Sequence, residues 1–175
     1  YCFPFLRGLE SPNITQFSSG FVLRKDVLDE LGLELPETID EWENVLRAYK
    51  DYGFEIPFVT RSEWMKDVWS PGFDNWGNFY VEDGVVKHGL IEDSRKEMIA
   101  KLHDWYEEGL ISRDWLVDDK KSSQTYFTTE KSAASYAPFG QGLGQYTQIL
   151  HDAKPEITQE LIRSTVPVTS EKGKN

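Results

Sequence analysis

Two stretches of the chain carry side chains suited to a flat, hydroxyl-rich ligand. The first is residues 61–76, RSEWMKDVWSPGFDNW, with Trp64, Trp69, Phe73, Asn75 and Trp76. Aromatic faces stack on the C–H faces of sugar rings, and neighbouring amides pair with hydroxyls. The competing role for each ring is core, because large aromatics are more often buried than displayed. The second stretch is residues 136–145, YAPFGQGLGQ. Tyr136 and Phe139 supply rings, and Gln141 supplies a donor and an acceptor. Gly140, Gly142 and Gly144 let backbone amides approach a ligand. The plain alternative is a glycine-rich helix cap. The spacing here is G-x-G-x-G, not G-x-G-x-x-G, and no Lys-Ser/Thr follows. A nucleotide site is therefore disfavoured, although a helix N-terminus at this place could still accept an anion.

Catalytic chemistry finds little support. His88, His103 and His151 are scattered and sit in no metal-ligand or nucleophile–base motif. The adjacent carboxylates Glu82-Asp83, Glu92-Asp93 and Asp118-Asp119 fall at turn or cap positions, where acids serve local roles. A glycosidase needs two carboxyls facing each other across a cleft. The expectation is a binding protein with no cofactor and no metal site.

The balance of charge narrows the partners. Thirty acidic residues against 19 basic ones give a net charge of −11 over 175 residues. Nucleic acid and anionic membrane surfaces both call for a basic patch, so neither is expected. No apolar run of about 18 residues exists to span a bilayer. The lone cysteine, Cys2, cannot form an internal disulfide, so cysteine usage does not fix the compartment. No signal-peptide pattern precedes it, and Cys2 reads as a small buried residue rather than a lipid anchor. Aromatic residues make up 14% of the chain, with six Trp, which is enough to build a core and still furnish a binding surface.

The elements that must hold these residues alternate between strand and helix. Residues 1–6 read as an edge strand and residues 20–24 as a short strand. Val27, Leu28 and Leu31 form a helical stripe that Gly32 closes. Thr38 and Glu41 make a capping box for a helix whose apolar face is Ile39, Trp42, Val45, Leu46 and Tyr49. Residues 56–59 read as a strand and residues 63–69 as a helix stopped by Pro71-Gly72. Asp83-Gly84 predicts a type I′ hairpin. Ser94 and Glu97 suggest a second capping box, followed by a face of Met98, Ile99, Leu102, Trp105 and Tyr106 and a stop at Gly109. Helices are expected over 124–130 and 141–152, with a strand over 133–136 between them. A turn or short helix is expected over 155–162, and residues 166–168 read as extended. This is an α/β pattern with few, short strands. One lobe is expected over residues 1–169, with 170–175 a polar tail.

Several of these segments resemble, in order, the bacterial extracellular solute-binding proteins of family 1, the sugar-binding components of ABC importers. Arg24 to Leu28 with Leu31-Gly32-Leu33 is similar to the family's "R-K-D-x-L…L-G-L" helix. Pro36 to Leu46 is similar to its "P-x-T-x-x-E" helix, and Tyr80 to Val86 to its "D-G-x-V" hairpin. Tyr106 to Ile111 matches "Y-x-E-G-L-I". Phe127 to Tyr136 matches "F-x-x-G-K-A-A", with Glu130 where Gly is usual. The matches span roughly residues 20–137.

The resemblance implies a helix-rich lobe of a periplasmic-binding-protein-like (type II) fold, from the central part of a second lobe. It implies an extracellular or periplasmic protein, lipid-anchored as a lipoprotein. Its ligand would be a carbohydrate, and its partners an ABC transporter permease and the missing first lobe of the same protein. The ligand would be captured by lobe closure, with this chain as one wall of the cleft. Within that frame Trp64 matches a cleft aromatic and Phe139 the aromatic at the start of the later helix. The other candidate cleft residues are Trp69, Asn75, Trp76, Tyr136 and Gln141. Some relatives carry an Asp/Asn-rich calcium loop; here Asp51 to Glu55 is too short and too poor in oxygen ligands. An excised lobe should expose an apolar patch where the rest would pack. Two other classes remain open: a sensory or protein-interaction domain of similar architecture, and a carbohydrate-active enzyme lobe.

Overall fold

The computed structural model describes residues 19–65, 67–75, 77–138, 144–153, 161–163 and 168–171. Its organising element is β1 (Ser19–Arg24), whose alternating side chains are buried on both faces. Phe21 and Leu23 face the larger core, and Val22 faces a smaller one. A strand buried on both faces needs helices on both sides. β2 (Phe58–Val59), β5 (Ala134–Pro138) and β6 (Leu161–Arg163) complete the sheet in the order β2-β5-β1-β6. β1 runs antiparallel to β5 and β6, while β2 runs parallel to β5.

The larger core is roofed by α2 (Ile39–Tyr52) and α4 (Asp93–Glu108). α2 begins where its sequence dictates. Thr38 accepts from the backbone of Glu41, and the Glu41 carboxylate accepts from the backbone of Thr38, so the capping box is complete. Ile39, Trp42, Val45, Leu46 and Tyr49 are all buried, and Gly53 ends the helix at a positive φ of 122°. The smaller core packs Phe127 of α5 (Lys120–Thr128) and Tyr146 of α6 (Tyr146–Ala153) against Val22 and Ala137. The Phe127 and Tyr146 rings stack 5.1 Å apart. The short α1 (Lys25–Glu30) follows β1 directly.

The hairpin of β3 (Phe79–Glu82) and β4 (Val85–His88) turns on Asp83 and Gly84, both at positive φ, as a type I′ turn requires. One hairpin face joins Lys87 to Glu82 by an ion pair. The other turns Phe79, Val81 and Val86 to solvent, and Ile91 beyond the hairpin is 85% exposed. An exposed apolar patch is thus present.

Four local expectations are corrected. Ser94 does not cap α4. The helix starts two residues earlier, behind Glu92, and the Ser94 hydroxyl instead takes a hydrogen bond from Asn75. Ile99 is exposed, although its spacing places it beside Met98. The helix expected over residues 63–69 is a single turn, α3 (Ser62–Met65). Pro71-Gly72 does not stop it but lies inside a following 3-10 turn, Ser70–Phe73. Gly72 is packed so tightly there that a Cβ would meet Ile39 at 2.6 Å. Residues 161–163 form a strand instead of a helix, because β1 offers them a free edge. The expected strand over 1–6, with Cys2, lies outside the described residues, as do 154–160 and 164–167. Val168 is buried, and Thr169 donates its backbone N–H to Glu37.

Candidate functional site

β2 and β5 run parallel, so their carboxyl ends lie side by side. In open α/β sheets that end is where ligands bind. Thr60, next after β2, is buried and donates its hydroxyl to the Tyr136 carbonyl at 2.9 Å, tying the two strand ends together. The chain then turns at Arg61, whose carbonyl accepts from the backbone of Trp64 and Met65. The Ser62 N–H donates to the Asp118 carbonyl at 2.8 Å, fastening α3 to the segment that leads into α5. This single helical turn lifts Trp64 out beside Tyr136.

The result is an aromatic and cationic corner. The rings of Trp64 and Tyr136 meet at 83° with centroids 5.5 Å apart. The Arg61 guanidinium lies over the Trp64 ring, 4.4 Å from its centroid, a cation–π distance. Tyr136 sets its other contact edge-on to Phe21 of the core, 5.2 Å away. Trp64 and Tyr136 are both half-buried, so each keeps surface for a ligand. Burial pushes the Tyr136 phenol above its ordinary value, so it is a neutral hydroxyl at physiological pH. That hydroxyl and the Trp64 Nε1 have no hydrogen-bond partner among the described residues. The Arg61 guanidinium also lies 3.9 Å from the carboxylate of the exposed Glu63.

The other sequence candidates do not join this corner. Trp69 is completely buried. Its ring is ringed by Phe21, Trp42, Phe58 and Trp105, with centroids 4.9–5.2 Å away. It is the centre of the larger core and presents no surface to a ligand. Asn75 is also buried, and its amide is fully engaged. Its Nδ2 donates to the Gly89 carbonyl at 2.8 Å and to Ser94 Oγ at 3.0 Å, and its Oδ1 accepts from the Gly77 N–H at 3.0 Å. Asn75 therefore seats the hairpin on the lobe. Trp76, Phe139 and Gln141 lie outside the described residues. The residues that sequence reasoning passed over are Thr60 and Arg61. Their only signal was position, directly after a predicted strand.

The acid pairs largely take the local roles their positions implied, except that the Asp118 carboxylate is buried, with its Oδ2 unpartnered among the described residues. Asp83 is in the hairpin turn, Glu92 precedes α4, and Asp119 caps α5 by accepting from the backbone of Lys121 and Ser122. His88 accepts from the Leu90 N–H. No group of three or more His, Cys, Asp or Glu side chains able to hold a metal occurs among the described residues. No described helix is long and apolar enough to cross a membrane.

No protein-family model matches the chain. Among curated proteins, lipoprotein LipO of Bacillus subtilis (strain 168) is 28% identical over 56% of this chain and 22% of its own length. The crystal structure of the alginate-binding protein AlgQ2 without calcium ion superposes with a TM-score of 0.68 at 25% identity, over 87% of this chain and 33% of that one. An HMO-binding, ABC-transporter-associated solute-binding protein from Bifidobacterium longum infantis gives a TM-score of 0.63 at 25% identity, over 87% of this chain and 34% of that one. The architecture is that of the periplasmic-binding-protein-like solute-binding proteins, helix-rich α/β with few short strands. The resemblance drawn from the sequence therefore stands: the chain is similar to the solute-binding components of ABC transporters. It spans 22% of the length of its curated relative and about a third of these solved structures.

Proposed function

We propose that this chain forms one wall of the ligand cleft in an extracellular solute-binding protein that delivers an oligosaccharide to an ABC importer. Residues 1–169 are the central part of one lobe, and a first lobe supplies the facing wall. The lobes close on the ligand by a hinge motion, and the closed form engages the transporter permease. The protein is a receptor and not an enzyme, held outside the cell by a lipid anchor or retained in a periplasm.

The observation that carries this reading is the corner of Arg61, Trp64 and Tyr136 at the carboxyl ends of β2 and β5. Half-exposed rings whose own polar atoms, the Trp64 Nε1 and the Tyr136 hydroxyl, have no partner among the described residues are what a sugar site needs. Support comes from relatives whose names refer to alginate and HMO binding, and from a curated relative named as a lipoprotein. The exposed apolar face of the hairpin fits a lobe that packs against further chain.

An oligosaccharide array probed with the protein extended at both ends to its full reading frame, beside this 175-residue chain, tests the reading. The extended protein should bind, and this chain should bind weakly or not at all, because the opposing wall is absent. Equal binding by both would mean a self-contained carbohydrate-binding module. No binding by either would remove sugar as the ligand class.

A further inference from the structure

We propose that Leu116 and Val117 form an apolar lip of the cleft, which an apolar surface of the facing lobe covers when the protein closes on its ligand; this rests on the two-lobed reading above. Ile111 bridges to Phe58 in parallel, and the Phe58 N–H donates to the Leu110 carbonyl at 3.0 Å. On its other side β2 runs parallel to β5. Three parallel chains therefore leave the sheet at one edge, the edge that carries Trp64 and Tyr136. Residues 112–118 are the first stretch after one of them. The Asp118 carbonyl accepts from the Ser62 N–H at 2.8 Å and ties the end of this stretch to α3.

The stretch is built to hold two side chains out. The Trp115 N–H donates to the Ser112 carbonyl, and the N–H groups of Val117 and Asp118 donate to the Asp114 carbonyl at 2.8 and 3.1 Å. Ser112 is buried, and Trp115 packs against the larger core, so both anchor the turn from below. Leu116 and Val117, between Trp115 and the buried Asp118, are 72% and 79% exposed. Isolated exposed aliphatics are ordinary on a surface. Two in succession on a pinned turn at a cleft edge are not, since turns favour polar residues. Neither side chain can pair with a sugar hydroxyl, so the ligand does not account for them. An apolar protein surface does, and there is chain to supply it. This chain spans about a third of the solute-binding proteins it superposes on, which leaves the facing wall to the rest of the protein. A lip covered only in the closed form raises apparent ligand affinity, because it enlarges the fraction of the protein able to close.

Small-angle X-ray scattering and titration calorimetry on the full-length protein test this, with stachyose as a neutral probe and an alginate tetrasaccharide as an acidic one. A probe that binds should contract the parent protein. Leu116→Ser with Val117→Ser should weaken that probe roughly tenfold or more and lose most of the contraction, because two aliphatic side chains no longer favour the closed form. Ile99→Ser, at an exposed apolar position on α4 outside the lip, should change neither. Binding and contraction equal to the parent's in the double variant would overturn the lip and leave the sugar-binding reading intact. Weakened binding with full contraction would place the pair against the ligand and overturn the lip as well. Equal losses in Ile99→Ser would do the same, by showing that the effect is not specific to this edge. If neither probe binds, the sugar-binding reading falls and this inference falls with it. All three substituted side chains are exposed, so thermal melts should show the variants folded like the parent.

Discussion

Trp64 and Trp69 are the same residue five positions apart, in one loop-rich stretch, yet they serve opposite roles. Trp69 is enclosed by four aromatic rings and holds the larger core together. Trp64 stands at the strand ends, with a guanidinium on one face and a phenol across its edge. The separation comes from the brevity of α3. One helical turn displays Trp64, and the 3-10 turn that follows drives Trp69 back under α4. Residue type therefore says what a ring could do, and local backbone decides which role it gets.

Breaking the core side of the comparison should give the largest effect. Trp69→Ala should cost about 3–5 kcal/mol, as expected for removing a fully buried ring. Trp64→Ala should cost only ~1 kcal/mol, because much less of its surface leaves water on folding. Urea unfolding of both variants checks the contrast, and similar losses would erase it.

Asn75 gives a sharper, intermediate test, since it sits between the two tryptophans and the hairpin. Asn75→Ala removes three hydrogen bonds and leaves the Gly89 carbonyl and the Gly77 N–H without this partner. The cost should be roughly 1–3 kcal/mol. Amide exchange should accelerate in residues 77–91 while α2 stays protected. Protection that falls uniformly would argue against a local anchoring role.

The smallest effect concerns pH at the start of α5, which borders the corner through Asp118. The backbone N–H groups of Ser122 and Lys121 hold the Asp119 carboxyl below its ordinary value of 3.8. A folded value below the unfolded one means that the ionised form favours the folded state. The contribution is therefore present above pH 3.8 and is lost as pH falls through the lower folded value. Amide exchange of the first turn of α5 between pH 6 and 3 should report fraying only at the acid end. Asp119→Asn should flatten that dependence.

Features that depend on near neighbours were legible before the structure. The Thr38/Glu41 capping box and the Asp83-Gly84 turn each complete their bonding within a few residues, and both occur where expected. The Ser94/Glu97 pattern is equally local, but Asn75 competes for the serine hydroxyl from another element, and the cap is lost. β6 is three residues long and exists only by pairing with β1, so no periodicity could reveal it. The α/β class and the likeness to solute-binding proteins came through because several local patterns follow in order. At the site, Trp64 and Tyr136 were legible as aromatics near strand ends. Arg61 was not, because a guanidinium stacked on a ring three residues ahead depends on how α3 begins. Trp69 and Asn75 were cleft candidates, with core the competing role for the ring, because the stretch that holds them looks like a loop. The aromatic core and the seat of the hairpin draw them inward.

The central claim is that the Trp64–Tyr136 corner faces a bound sugar. The most direct measurement is the oligosaccharide affinity of the full-length protein and of its Trp64→Ala and Tyr136→Phe variants, by titration calorimetry with thermal melts alongside. The account predicts folded variants in which Trp64→Ala loses about tenfold or more in affinity and Tyr136→Phe loses less, the share of a single hydrogen bond. Folded variants that bind as tightly as the parent would contradict it and move the cleft elsewhere on the lobe.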